Sequence, residues 1–472
     1  MPTQIRDTDV AIIGAGTAGM AAYRTVKAAG QRALLIEGGA YGTTCARVGC
    51  MPSKLLIAAA EAAHASSRLP AFGIRPAGPI VVDGKAVMDR IKGERDRFAG
   101  FVVDDVEAFP AADKLRGHAR FIDDHTLQVG DALTIRAPRV VIATGSSPAH
   151  PAAWDALGDR MIVNDDVFEW STLPESVAVF GPGVIGLEIG QALHRLGVRV
   201  KVFGRGGGVG PLSDPALLES ARRIFGAEFY LDTNAHAEAA RHGDLIEVSY
   251  RAADGTAATE NFDCLLAATG RRPNLVGLGL ERTSLTLDIH GVPVFNRRTL
   301  QCGRSSIFIA GDVNNELPLL HEAADEGRIA GENAAHYPDV RPGLRRAGIA
   351  IVFTDPQIAI IGGGWRDAQP VPHVVGEVSF HNQGRSRVML RNKGLLHVYA
   401  AIEDGAFLGA EMLGPDAEHV GHLLAWALQM KLTVQQMLDM PFYHPVIEEG
   451  LRTALRGARS KLAAAQAERR AA

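Results

Sequence analysis

The sequence predicts an α/β fold, two Rossmann-like domains followed by a C-terminal α+β domain, and its recurring strand–glycine–helix grammar is the reason. A short apolar run, Val10-Ala-Ile-Ile13, leads into Gly14-Ala-Gly-Thr-Ala-Gly19, a helical stretch from Met20 to Ala29, and a second apolar run, Ala33-Leu-Leu-Ile36, closed by Glu37. The same order returns as Val177-Ala-Val-Phe180, Gly181-Pro-Gly-Val-Ile-Gly186, a helical stretch to Leu196, and Val198-Arg-Val-Lys-Val-Phe203. Strand, glycine turn, helix and strand make a parallel βαβ unit, so two nucleotide sites are written into one chain. From about Pro342 this grammar stops. The remainder reads as alternating strands, a helical stretch from His422 to Met430, and an Ala- and Arg-rich tail after Leu462 expected to fray.

Each glycine loop has a chemical reason. The backbone must turn tightly and approach a pyrophosphate closely, leaving helix N–H groups to hold the charge, and Gly14, Gly16 and Gly19 meet that need. Glu37, at the end of the second strand, is placed to accept hydrogen bonds from a ribose. Gly181, Gly183 and Gly186 form the second loop, but there the strand ends on Gly204 and Arg205. The missing carboxylate removes repulsion against a 2′-phosphate and the guanidinium could pair with one; equally, Arg205 could open an exposed turn, Gly206-Gly-Gly208, and contact nothing. Two further buried strands, Val140-Val-Ile-Ala-Thr-Gly145 and Leu265-Leu-Ala-Ala-Thr-Gly270, end alike and are expected to close the two domains.

Composition narrows the function. A chain of 472 residues has several domains, and a net charge of −4 with 22% charged residues gives no basic excess for nucleic acid. The N-terminal residues show no signal-peptide pattern and no apolar run approaches the ~20 residues of a membrane span, so a soluble cytoplasmic enzyme with no membrane partner is expected. The four cysteines, at 45, 50, 264 and 302, are too sparse for a secreted disulfide scaffold.

The stretch Thr44-Cys-Ala-Arg-Val-Gly-Cys-Met-Pro-Ser-Lys54 is the most informative. Residues five apart in a regular helix are separated by ~7.5 Å of rise, so a bridge between Cys45 and Cys50 requires a distorted segment, which Gly49 permits. Pro52 suits the first turn of a following helix, which would place Cys50 at the positive end of its dipole, and Lys54 adds a cation. A metal site is disfavoured because Cys264 and Cys302 have no nearby partners; they read as ordinary buried thiols.

These motifs resemble the FAD-dependent pyridine nucleotide-disulfide oxidoreductases (class I), and within them the dihydrolipoyl dehydrogenase type. The resemblance spans the chain: the Cys-x4-Cys-x-Pro-Ser-Lys segment, both glycine loops, both Ala-Thr-Gly strands, Ala268-Thr-Gly-Arg-Arg-Pro-Asn274, Ile309-Ala-Gly-Asp312 and Phe442-Tyr-His-Pro445. It implies an FAD-binding domain over 1–150 and 273–341, an NAD(P)-binding domain over 151–272, and a C-terminal dimerisation domain over 342–472. FAD would take Gly14, Gly16, Gly19, Glu37, Thr44, Lys54, Ala119, Thr144, Gly145, Asp312, Leu320 and His321. NAD, or NADP, would take Gly181, Gly183, Gly186, Arg205 and Gly270. Cys50 matches the cysteine facing the flavin and Cys45 the one that exchanges with substrate, while Lys54 and Glu188 match a lysine–acid pair beside the flavin. From its residue alone, Glu188 reads as a helix-surface carboxylate. Val184 stands where some relatives carry a tyrosine gate, and Thr43 departs from the usual Gly-Gly-Thr-Cys.

His444, followed by Pro445, and Glu449 resemble the family's catalytic His–Glu pair, with Glu448 the neighbouring alternative. Thiol exchange needs a base, and an imidazole oriented by a carboxylate suits that task near neutrality. The resemblance implies a homodimer in which this histidine serves the cysteines of the other subunit, with Leu423-Leu-Ala-Trp-Ala-Leu428 at the interface or in the core. The implied activity is oxidation of dihydrolipoyl groups on proteins of a 2-oxoacid dehydrogenase or glycine cleavage complex. The alternatives are an NADPH-dependent reductase of a small disulfide such as glutathione or of a metal ion such as mercury, or a redox-sensing flavoprotein with little turnover. The mercuric alternative is weakened by the lack of a C-terminal cysteine pair and of an N-terminal metal-binding domain.

Overall fold

Val10–Ile13 and Ala33–Glu37 are apolar along nearly their whole length because both faces of their sheet are covered. The computed structural model describes residues 4–252 and 255–471, and these fall into two units. Unit one takes the chain up to residue 52, then 91–149 and 270–345; unit two takes 53–90, 150–269 and from 346 onward. Residues 53–90 thus group with unit two, whereas the sequence-based spans join them to the first domain.

In unit one a parallel five-stranded sheet runs in the order Ile307–Ile309, Arg139–Ile142, Val10–Ile13, Ala33–Glu37, Lys114–Arg116. Its side chains alternate between two cores. Val10, Ile12, Leu35 and Val141 pack with Tyr23 and Val26 of helix Thr17–Ala28 and with Ile329 and Ala330 of helix Leu320–His336. Ala11, Ile13, Leu34 and Ile142 pack with Phe121, Leu127 and Ile135 from a smaller four-stranded sheet. Each such aliphatic side chain contributes about 1.5–3 kcal/mol by leaving water. The two helices meet through glycine: a Cβ on Gly327 would lie 2.2 Å from the Ala18 carbonyl oxygen, and one on Gly331 would lie 2.7 Å from that of Ala22.

Unit two repeats the parallel sheet in the order Met161–Ile162, Cys264–Ala267, Ser176–Phe180, Arg199–Phe203, Tyr230–Asp232. It adds a three-stranded antiparallel sheet, Ala237–His242, Leu245–Arg251 and Ala257–Phe262. Its C-terminal part is a five-stranded antiparallel sheet, ordered Ile349–Val352, Gln357–Ile361, Phe407–Gly414, Leu395–Ala401, His373–Ser379, packed with helices Ala417–Gln429 and Glu449–Ala471. The Ala- and Arg-rich tail continues helix Glu449–Ala471. Ala454, Ala458 and Leu462 are buried, the Gln466 amide donates to the Ile402 carbonyl at 2.9 Å, and Ala, Arg, Glu and Gln all favour helix.

Glu411 and Asp214 are among the buried carboxylates of unit two. Glu411 accepts from the backbone N–H groups of Ser213, Asp214 and Trp365 at 3.0, 3.0 and 2.9 Å. Asp214 accepts from His397 Nδ1 at 2.8 Å and Tyr399 OH at 3.0 Å and caps helix Pro215–Gly226. Burial pushes the Asp214 carboxyl up, but the His397 contact, the Ala216 amide and Tyr399 outweigh it and hold it below its ordinary value. Its stabilising effect is therefore present above the unfolded carboxylate pKa and lost as pH falls through the lowered folded value. Asp214→Ala should lower stability by about 3 kcal/mol in denaturant titrations at neutral pH, since it strands two buried partners.

Candidate active site

The two cysteines sit on either side of a helix break. Thr43 caps helix Thr44–Val48 by accepting from the Ala46 amide at 3.3 Å. Gly49 then leaves helical geometry, at φ −127° and ψ −112°, and a new helix, Cys50–Arg68, begins. A Cβ on Gly49 would lie 3.0 Å from the Thr44 carbonyl oxygen and 3.3 Å from the Cys45 Cα, so the break is sterically tight. Pro52 lies in the first turn of the new helix, which places Cys50 at its positive end. Cys45 is half-buried and Cys50 exposed. Cys264 and Cys302, in contrast, are buried, and burial pushes each thiol up to about 12, which leaves them inert at neutral pH.

Cys45 and Cys50 open onto a cavity of unit one that is also lined by Gly16, Thr44, Gly145, Asp312 and Leu320. Helix Thr17–Ala28 starts there with no side-chain cap, so its first amides face the cavity without an internal partner. Gly14 has φ +108°, and a Cβ on it would sit 2.3 Å from the Ala143 carbonyl oxygen, while a Cβ on Gly19 would lie 1.8 Å from that of Gly14. Around Gly16 the space is open. Uncapped amides beside open space suit a pyrophosphate. Glu37 accepts from the amides of Ala15 at 2.8 Å and Gly39 at 2.6 Å. Ala119 is buried at the start of strand Ala119–Asp123, and Leu320 and His321 are exposed at the start of their helix.

Asp312 is fixed by residues to which the motifs assigned no role. Ser146 Oγ donates to Asp312 Oδ2 at 3.0 Å and accepts from Arg271 Nε at 2.8 Å. Thr144 Oγ1 donates to the Asn274 carbonyl at 2.8 Å, and the Asn274 amide returns a bond to the Thr144 carbonyl at 2.9 Å. Beneath the Asp312 turn lies Glu326, buried, accepting from the Gly311 amide at 2.8 Å, Asn314 Nδ2 at 2.6 Å and Arg345 at 2.9 Å. Gly270, assigned from the sequence to the second nucleotide, falls in unit one, where its carbonyl accepts from the Ala149 amide at 2.9 Å.

In unit two, Lys54 Nζ lies 2.8 Å from Glu188 Oε2 and 4.5 Å from the centroid of the Phe353 ring. Glu188 is not the surface carboxylate its residue type suggests: it is 4% exposed and also accepts from the Phe353 amide at 2.9 Å. A buried carboxylate survives only with such partners. The second loop copies the first, with Gly181 at φ +111°, open space at Gly183, and Gly186 against the Gly181 carbonyl. Helix Val184–Arg195 likewise starts without a side-chain cap, and Val184 is exposed on it. Arg205 is exposed and has no hydrogen-bond partner among the described residues.

His444 Nδ1 lies 2.9 and 3.0 Å from the two Glu449 oxygens, so Glu449 rather than Glu448 is its partner. The His444 contact holds the Glu449 carboxyl below its ordinary value. The imidazole side chain is 80% exposed, with Nε2 turned away from its carboxylate.

Residues 8–327 match the family described as pyridine nucleotide-disulphide oxidoreductase, and residues 349–455 match its dimerisation domain. The chain belongs to this family. Its members use FAD and NAD(P), and the uncapped glycine loops of both units fit dinucleotides. Among curated members of the family, the chain is 30% identical to a dihydrolipoyl dehydrogenase of Haloferax volcanii, over 96% of both chains. It is 29% identical to a mercuric reductase of Acidithiobacillus ferrooxidans, over 95% of this chain and 82% of that one. LpdA from Mycobacterium tuberculosis superimposes with a TM-score of 0.80 at 25% identity, covering 95% of this chain and 99% of that one. The protein is a disulfide oxidoreductase by family, and no described helix is long and apolar enough to cross a membrane.

Proposed function

We propose that the protein exchanges electrons between a dithiol–disulfide substrate and a pyridine nucleotide through Cys45 and Cys50. The observation that carries this reading is the placement of both sulfurs, across the Gly49 break, on the cavity lined by the first glycine loop and Asp312. Gly16, Thr44, Gly145 and Asp312 would hold FAD, with Glu37 on its ribose, and the second loop would hold NAD(P). When bound, these two groups supply two-electron transfer between the cysteines and the dinucleotide.

The chain's own residues perform the thiol chemistry. A substrate thiol gives its proton to His444 Nε2, and the resulting thiolate attacks Cys45 Sγ, breaking the Cys45–Cys50 bond and leaving Cys50 as thiolate. The helix beginning at Cys50, with Lys54 one turn on, favours that charge. The second substrate thiol attacks the substrate sulfur of the mixed disulfide as its proton passes to the departing Cys45 sulfur, which leaves as a thiol, while His444 keeps the first proton. Glu449 holds the imidazole tautomer and stabilises its cation. Run backwards, the same steps reduce a disulfide.

The histidine's exposure supports a second copy of the chain. Leu424, Ala425 and Ala427 are buried in the core, but Leu423 and Trp426 on the same helix and Met430 just beyond it are 44%, 69% and 71% exposed. We assign this apolar face to the contact between subunits of a homodimer, in which each His444 serves its partner's cysteines.

For the substrate, the resemblance over the whole chain supports dihydrolipoyl groups. The reductive alternative, a small disulfide or a thiophilic metal ion, is supported by the absence of a carboxylate at position 204. Steady-state rates of NAD, NADH and NADPH against dihydrolipoamide, lipoamide and oxidised glutathione discriminate them. Fastest turnover with dihydrolipoamide or lipoamide, whichever nucleotide serves, supports the first, and fastest turnover with glutathione disulfide overturns it.

A further inference from the structure

The two glycine loops are close backbone copies, which makes their differences informative. The residues that open each helix, Gly16 and Gly183, have φ/ψ of −76°/−172° and −77°/−172°. In register, Ile13 lies opposite Ile36 and Phe180 opposite Phe203. Ala15 therefore corresponds to Pro182, and Glu37 to Gly204. In the first loop these two positions are bonded, the Ala15 amide to the Glu37 carboxylate at 2.8 Å. In the second loop both halves are gone. Proline has no N–H to donate and glycine no carboxylate to accept.

The replacement is also steric. A Cβ built on Gly204 would lie 2.5 and 2.6 Å from Cγ and Cδ of the Pro182 ring. That ring cannot swing aside, because its φ is locked and the Pro182 carbonyl accepts from the Gly210 amide at 2.7 Å. Pro182 thus fills the place from which an acidic side chain would reach a ribose 2′-hydroxyl. One residue on, Arg205 lines a surface pocket with Asn234, His236 and Arg251, where Glu238 is the one carboxylate among the described residues.

We propose that Pro182 and Gly204 together determine dinucleotide selectivity: they bar the 2′-hydroxyl anchor that the first loop keeps and leave Arg205 to pair with a 2′-phosphate. This rests on the second loop being the pyridine nucleotide site, not on the identity of the disulfide substrate. A guanidinium–phosphate pair discriminates by roughly ten- to a hundredfold.

Calorimetry with adenosine 2′,5′-bisphosphate and 5′-AMP reads this directly, because the two probes differ only in the 2′-phosphate and neither needs turnover. The flavin-loaded protein should bind the bisphosphate at least about tenfold more tightly, and Arg205→Ala should reduce that ratio about tenfold. Gly204→Glu alone should weaken both probes, whereas Pro182→Ala with Gly204→Glu should recover 5′-AMP binding and invert the preference. Flavin content, read by absorbance, reports whether each variant is folded. Equal affinity for the two probes, no binding of either, a ratio that survives Arg205→Ala, or Gly204→Glu alone matching the double variant overturns the proposal. Anaerobic flavin reduction should likewise be faster with NADPH than with NADH when no disulfide is present. Selective binding in a protein that exchanges no thiol leaves the proposal standing and sinks the dithiol reading.

Discussion

Cys50→Ser and Cys45→Ser should each lower dithiol–disulfide turnover by at least about a thousandfold while leaving the flavin bound. The reason is covalent. Each step breaks or forms a sulfur–sulfur bond at one of these atoms, and a serine hydroxyl can do neither at neutral pH. The variants should differ from each other, since Cys50 begins a helix and Cys45 lies in the short capped turn before it. Single-turnover trapping with a thiol-reactive disulfide should label Cys45 in the Cys50→Ser protein, because that sulfur is assigned to the substrate. Unimpaired dihydrolipoamide or glutathione disulfide turnover in either variant would remove the pair from the mechanism.

His444→Gln should cost about a hundred- to ten-thousandfold in turnover, the range for losing a positioned base. Glutamine keeps a polar side chain but takes no proton. The loss should shrink as pH rises, because substrate thiols then ionise without help. Subunit mixing sharpens the test. If each histidine serves its partner, equal amounts of inactive His444→Gln and Cys45→Ser chains, unfolded and reassembled together, should recover about a quarter of wild-type activity, since half the dimers are hybrids with one intact site. Zero recovery from mixtures that form hybrid dimers would place both groups within one subunit.

Much of this was legible because glycine positions and strand patterns are local. Val10–Ile13, Ala33–Glu37 and the two loops form where their residues demand, since buried strands and tight turns are specified within a few residues. Glu188 was not legible from its own residue. Its burial depends on Lys54 and on the Phe353 amide, both far away in sequence, and helix periodicity says nothing about such partners. Ser146, Arg271 and Glu326 escaped for the same reason: they act on Asp312 and its turn through bonds that exist only once distant segments meet. The helical character of the tail was legible in its composition, but the anchoring of helix Glu449–Ala471 through Leu462 in a core was not.

The glycines between helices Thr17–Ala28 and Leu320–His336 give the first loop its calibration from behind. With Gly327 set against Ala18 and Gly331 against Ala22, the nucleotide-facing helix rests on its neighbour's bare backbone. A methyl group at either contact would push the first turns of the helix off its neighbour, and with them the adjoining row of amides at Gly16. If this loop holds the dinucleotide proposed for it, affinity should fall with Gly327→Ala or Gly331→Ala, although neither residue touches the ligand site.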